Sequence, residues 1–169
     1  MPTATQESMS ASSTTHIHEI YIRAEAADIW QALTTPEWTS KYGYRALSEY
    51  ELKPGGKFRC KANQQMRTMG LPEVIIDGEV IEANPPYKLV QTYRFLFNEE
   101  HKKEGFTRIT WEIAPTERGF CRLTVTHDVA NAPMMSAATV SKFSLQGGGG
   151  FNWILSDLKS LLETGKTMW

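Results

Sequence analysis

Residues 151–165 read FNWILSDLKSLLETG. Phe151, Ile154, Leu155, Leu158, Leu161 and Leu162 recur at the i, i+3, i+4, i+7 spacing of one apolar helical stripe. Asn152, Ser156, Asp157, Lys159 and Glu163 fill the other side, and Gly165 fits a left-handed C-terminal cap. Such a helix must bury its stripe against another layer. What stands before it in the chain is chiefly strand, so the stripe predicts a helix lying on the concave face of a sheet.

Working back from that helix, Phe120 to Ala130 and Phe106 to Pro115 alternate in the strand period, joined by the polar turn Thr116-Glu117-Arg118-Gly119. Tyr87 to Phe97 and Glu73 to Ala83 form a further pair across Asn84-Pro85-Pro86. Lys57-Phe58-Arg59-Cys60-Lys61 alternates charge with apolar residues after the turn Pro54-Gly55-Gly56, which closes a strand from Arg45 to Leu52. The first strand runs from about His16 to Arg23. A helix follows with Ile29, Trp30 and Leu33 on one face. Thr35-Pro36-Glu37 then reads as a second helix start, with Thr as N-cap and Pro at the first helical position; this helix carries Trp38 and Tyr42 and ends at Gly43. Asn63 to Pro72 reads as a loop or lid and Asn98 to Gly105 as a charged connection. Seven strands joined mostly as hairpins predict an antiparallel sheet in an α+β fold.

Composition excludes several function classes. The 169 residues are 41% hydrophobic and 22% charged with a net charge of -1, so a core can form and a general phosphate-backbone binder is disfavoured. Residues 1–15 are rich in Ser, Thr, Ala and Gln, which reads as a disordered tail ahead of a single domain over 16–169. That tail has no apolar run, so neither a secretory leader nor membrane insertion is expected, and the expected compartment is the cytoplasm. Cys60 and Cys121 lack a C-x-x-C partner and read as reduced thiols.

The order and spacing of several stretches resemble the SRPBCC, or START-like, superfamily. Within it they resemble the family named after the activator of the heat-shock chaperone ATPase. The resemblance is carried by 26–37 (AADIWQALTTPE), 52–58 (LKPGGKF), 78–82 (GEVIE) with Pro85-Pro86 and Lys88-Leu89-Val90, 123–127 (LTVTH), and Gly150 through Glu163. It spans about residues 16 to 164. One departure is at the helix start, where the family usually has Trp after the glycine and this chain has Phe151, with Trp153 two residues on. The resemblance implies a helix-grip fold, a curved sheet round the C-terminal helix enclosing a cavity for a small hydrophobic molecule. It also implies two alternatives: a cyclase- or dehydratase-like enzyme acting on a polyketide-like substrate, or a module that contacts a heat-shock chaperone. The eukaryotic activators carry an additional N-terminal domain with no counterpart here, so the chaperone role is the weaker expectation.

Strand parity then points to pocket residues. Phe58 with Cys60, Leu89 with Tyr93, Ile109 with Trp111, and Val125 with His127 form one inward set. The residues expected around a ligand are Trp30, Tyr42, Phe58, Cys60, Tyr93, Trp111, His127 and Phe151. Met66, Met69, Met134 and Met135 are candidates for the mouth. His127 is the one candidate acid or base, against the simpler reading of a hydrogen-bonded core histidine. His16 and His18 share a face but read as surface residues without a third ligand, and no metal or other cofactor is expected. Gly147 to Gly150 lack the Lys of a phosphate loop and read as a hinge. No nucleophile elbow, Walker loop or dinucleotide fingerprint occurs, so the expectation is a binding protein rather than an enzyme, monomeric or homodimeric.

Overall fold

The computed structural model describes residues 14–169. The expected N-terminal tail lies outside the described residues as far as residue 13, and Thr15 already belongs to the first strand. In chain order the elements are β1 (Thr15–Ile22), α1 (Ala26–Thr34), α2 (Pro36–Thr39), β2 (Leu47–Tyr50), β3 (Lys57–Lys61) and α3 (Gln64–Thr68). There follow β4 (Val74–Asn84), β5 (Lys88–Phe95), α4 (Glu99–Glu104), β6 (Thr107–Pro115), β7 (Cys121–Asp128), α5 (Pro133–Thr139) and α6 (Phe151–Thr164).

The seven strands form one antiparallel sheet in the order β1-β7-β6-β5-β4-β3-β2. Strands β2 to β7 are hairpin neighbours in sequence, whereas β1 returns to pair with β7, placing His16 opposite His127 and Ile22 opposite Cys121. The α+β helix-grip architecture expected from the sequence is the observed one. Between β4 and β5 the register shifts from Val80 to Glu82. Gly78 permits the close approach there, since a Cβ would stand 1.9 Å from the Thr92 carbonyl oxygen.

Alternation does what the strand period requires. Leu89 and Gln91 on β5, Ile109 and Trp111 on β6, and Val125 and His127 on β7 are all buried on the concave face. Phe151, Leu155 and Leu158 of α6 pack on them, together with Ile29, Trp30 and Leu33 of α1. Gly165 adopts the left-handed cap with φ 77°, its N–H donating to the Leu161 carbonyl at 2.8 Å.

Three local expectations need correction, and one helix stands where no element was expected. Residues 63–72 hold the helix α3, whose first turn is capped by Asn63 accepting from the Met66 N–H at 2.9 Å. Residues 98–105 hold α4, capped in the same way by Asn98 accepting from the His101 N–H at 2.9 Å. A further helix, α5, begins with Pro133 in its first turn. The third correction concerns α2, which stops at Thr39 and leaves Tyr42 in the following turn. Thr35 does not cap it by side chain; the hydroxyl donates back to the Gln31 carbonyl of α1.

Candidate functional site

Two cavities lie between the sheet and α6, and Tyr44, Tyr93, Phe151 and Ile154 line both. The narrower, about 110 Å³, reaches in under α1 and β2, among Tyr42, Tyr50, Phe58, Cys60 and Trp111. The wider, about 310 Å³, is bounded by Leu71, Ile75, Phe95 and Phe97 and roofed by Ala138 and Thr139 of α5 and Gly150 at the start of α6. Ligand pockets start at roughly 300 Å³, so the wider cavity suits a compact guest. Its walls are almost wholly apolar, whereas the narrower one also presents Thr39, Arg45, Ser48 and several phenolic rings.

Aromatic contacts define the shared wall. Tyr50 stacks on Phe58 at 4.6 Å, and Phe58 lies nearly parallel to Tyr93 at 6.1 Å. Phe151 stands among Tyr93, Trp111, His127 and His18, with ring centroids between 5.7 and 6.4 Å away. The polar tips of these rings already have partners inside the protein. The Tyr50 hydroxyl donates to Gln91 Oε1 at 2.8 Å, and the Trp111 indole donates to the same oxygen at 3.2 Å. The Tyr42 hydroxyl donates to the Ala32 carbonyl at 2.7 Å. Gln91 is thus the organising polar residue of the sheet face. It was not among the expected residues, although strand parity puts it on the same face, between Leu89 and Tyr93.

Burial keeps the phenols and the thiol of this region uncharged. It raises the phenols of Tyr42, Tyr50 and Tyr93 above their ordinary range, with the neighbouring Cys60 adding to the effect. The Cys60 thiol is pushed up to about 11 by burial, only partly offset by the Ser48 hydroxyl 3.7 Å from its sulfur. Cys60 is therefore a thiol, not a thiolate nucleophile, at neutral pH.

Six of the eight expected ligand residues, Tyr42, Phe58, Cys60, Tyr93, Trp111 and Phe151, line the narrower cavity. Trp30 and His127 line neither. Trp30 is buried in the core beside α6, and His127 is fully buried with its Nε2 2.7 Å from the Thr107 hydroxyl. His16 and His18, expected at the surface, are buried as well. His16 Nε2 meets the Ser136 hydroxyl of α5 at 3.2 Å, and His18 Nδ1 meets Asn152 Oδ1 of α6 at 2.8 Å. The period of β1 gave their shared face; the cover comes from α5 and α6. Of the methionines, Met66 lines the wider cavity, Met69 is exposed, and Met135 is buried against Phe95, Val129 and Ala132. The glycine run is close-packed at its end: Gly150 has φ 71°, and a Cβ there would lie 2.5 Å from the Thr139 carbonyl.

Among the described residues no group of three or more His, Cys, Asp or Glu side chains could hold a metal ion. Among them also, no helix is long and apolar enough to cross a membrane.

Comparison with known proteins agrees with this architecture. The family model described as activator of Hsp90 ATPase homolog 1-like protein matches residues 23–163. The structure is similar to PFC0360w, an HSP90 activator from Plasmodium falciparum (21% identity, 92% of this chain and 91% of that one, TM-score 0.54). It is also similar to the Aha1 dimer from Colwellia psychrerythraea (20% identity, 91% and 99% covered, TM-score 0.59). A third similar structure is DynU16, a protein of the dynemicin biosynthetic locus (16% identity, TM-score 0.60). There 92% of this chain is covered, and it spans about half, 49%, of that longer one. At these identities the likeness shows the fold. No curated protein matches the sequence.

Proposed function

This chain belongs to the activator of Hsp90 ATPase homolog 1-like family, and from that premise we propose that it binds a small hydrophobic molecule between the sheet and α6. The observation that carries this reading is the pair of cavities walled by Tyr93 and Phe151, the wider of them almost entirely apolar. A protein with no use for the space would fill it, because interiors pack to crystal density and voids cost stability. Tyr42, Phe58, Cys60, Tyr93, Trp111 and Phe151 are the contact residues. Native mass spectrometry of the purified protein, followed by a thermal-shift screen of compact apolar compounds, tests it. Bound species or stabilising compounds are expected; a protein that carries none and responds to none would refute the reading.

The enzyme alternative loses its candidate acid or base, since His127 lines neither cavity and is hydrogen-bonded to Thr107. The chaperone alternative is favoured by the family description and by the likeness to an HSP90 activator. Co-purification with the heat-shock ATPase and stimulation of its turnover would support it, and no complex at micromolar protein would count against it. Likeness to the Colwellia dimer makes a homodimer the assembly to look for, by light scattering.

A further inference from the structure

Four tyrosines stand on the cavity walls, and their hydroxyls are used differently. Tyr42 donates to the Ala32 carbonyl and Tyr50 to Gln91 Oε1, so both of those protons are engaged inside the protein. The Tyr44 oxygen accepts from the Gly149 and Gly150 N–H groups at 3.2 Å each, and this residue is 46% exposed, where water serves its proton. Tyr93 is the exception. It lines both cavities, and among the described residues its hydroxyl has no hydrogen-bond partner. The unpartnered side-chain polar atoms that are closed off from solvent are, among the described residues, His16 Nδ1, His18 Nε2, Arg45 Nε and His127 Nδ1. The Tyr93 oxygen is not one of them, so it opens onto accessible space. Burial affects its phenol most, and the next groups it feels are Cys60 and Tyr44. Both line the narrower cavity with it, which identifies that space as the cavity where it meets the wider one.

A phenol in apolar surroundings ordinarily finds a partner, because a donor left unpaired there is destabilising. Resting on the reading of these cavities as a ligand site, we infer that the guest is a compact, uncharged carbonyl compound. Its oxygen accepts from the Tyr93 hydroxyl where the two cavities meet, and its apolar body fills the wider one. The absence of charge follows from the lining, in which Arg45 is the one charged side chain. That guanidinium is stacked on the Trp169 ring at 3.9 Å, its Nη2 donates to the Trp169 carbonyl, and its Nε is closed off. A carboxylate would lose its hydration with no cation to meet it. An alcohol would bring a donor of its own to walls that are almost wholly apolar, whereas a carbonyl brings only an acceptor.

Calorimetric titration of the full chain with three compounds of one shape tests this: 4-ethylacetophenone, 1-ethyl-4-isopropenylbenzene and 4-ethylbenzoate. The ketone is expected to bind about fivefold more tightly than the alkene, the worth of one neutral hydrogen bond, and the benzoate more weakly than the ketone. Tyr93→Phe should remove the preference for ketone over alkene. A second measurement needs no variant. The infrared carbonyl stretch of the bound ketone, carrying carbon-13 at that position, is expected at lower wavenumber than in hexane. Tyr93→Phe should return it toward the hexane position; a stretch that stays shifted in this variant overturns the assignment to Tyr93. Ketone and alkene binding equally with an unshifted stretch, or the benzoate binding most tightly, overturns the carbonyl assignment while the hydrophobic-site reading stands. If none of the three binds, the site itself is refuted, and this inference with it.

Discussion

His127 shows how one side chain can read as a catalyst in sequence and as part of the core in structure. Its Nε2 is committed to Thr107, its Nδ1 is buried without a partner, and His16 and His18 crowd the same concave face. Burial lowers its pKa from 6.5 to about 4, the neighbouring His16 and His18 push the same way, and Asp128 opposes them weakly. The His16 pKa is also lowered, by burial and by His18. The unfolded chain therefore binds protons more readily than the folded one. Stability is full above pH 6.5 and is lost as the pH falls toward 4, by roughly 3 kcal/mol for His127 alone. Urea midpoints measured across that range should fall steadily, and His127→Phe should flatten the slope. Cys60 gives a second prediction at this scale. Buried, with a pKa of about 11, it should react with a soluble disulfide reagent at pH 7.5 far more slowly than free cysteine, and unfolding in urea should abolish the difference.

At the scale of elements, α6 is held by more than its stripe. Asp157, which the helical pattern assigns to the solvent side, is fully buried. Its carboxylate accepts from the Gly43 N–H at 2.8 Å and the Met168 N–H at 2.6 Å, tying the helix to the turn before β2 and to the C-terminal segment. Asp157→Ala leaves two backbone donors unpaired and should cost about 3 kcal/mol in urea unfolding, with Asp157→Asn less severe. At the other end of α6, Gly150→Ala combines left-handed strain with the clash at Thr139, and a loss on the order of 2 kcal/mol is expected. The stripe itself, the seven strands and the inward set from Phe58 to His127 were legible because period and parity are local properties. Asp157 was not, because it flanks the stripe and a buried carboxylate is recognisable only once its backbone donors come from elsewhere in the chain. Helices as short as α3 and α4 carry no apolar period, so the caps Asn63 and Asn98 emerged only with the structure. Arg45 and Tyr50 fall in a stretch read as one strand, which the structure shortens to Leu47–Tyr50, and Tyr44 stands in the turn before it, so this side of the narrower cavity went unread.

For the whole molecule, the proposed ligand site is partitioned into two cavities, and that partition would govern the size of guest. Phe151 is buried and lines both, so Phe151→Ala should join them and cost about 4 kcal/mol in stability. The same variant should accept bulkier compounds in the thermal-shift screen than the parent protein does. An unchanged size limit would mean that Tyr93 and Ile154 alone set it.

The sheet order also has a consequence for how the chain comes into being. Strands β2 through β7 can pair one after another as they leave the ribosome, each with the strand just made. β1 emerges first but has its place at the far edge beside β7, with Thr15 opposite Asp128. At ordinary translation rates it waits on the order of ten seconds for that partner. During that interval Ile20, Ile22 and the two histidines of β1 are open to any factor that binds nascent strands. The last pairing of the sheet is thus made by the first of its strands to be synthesised.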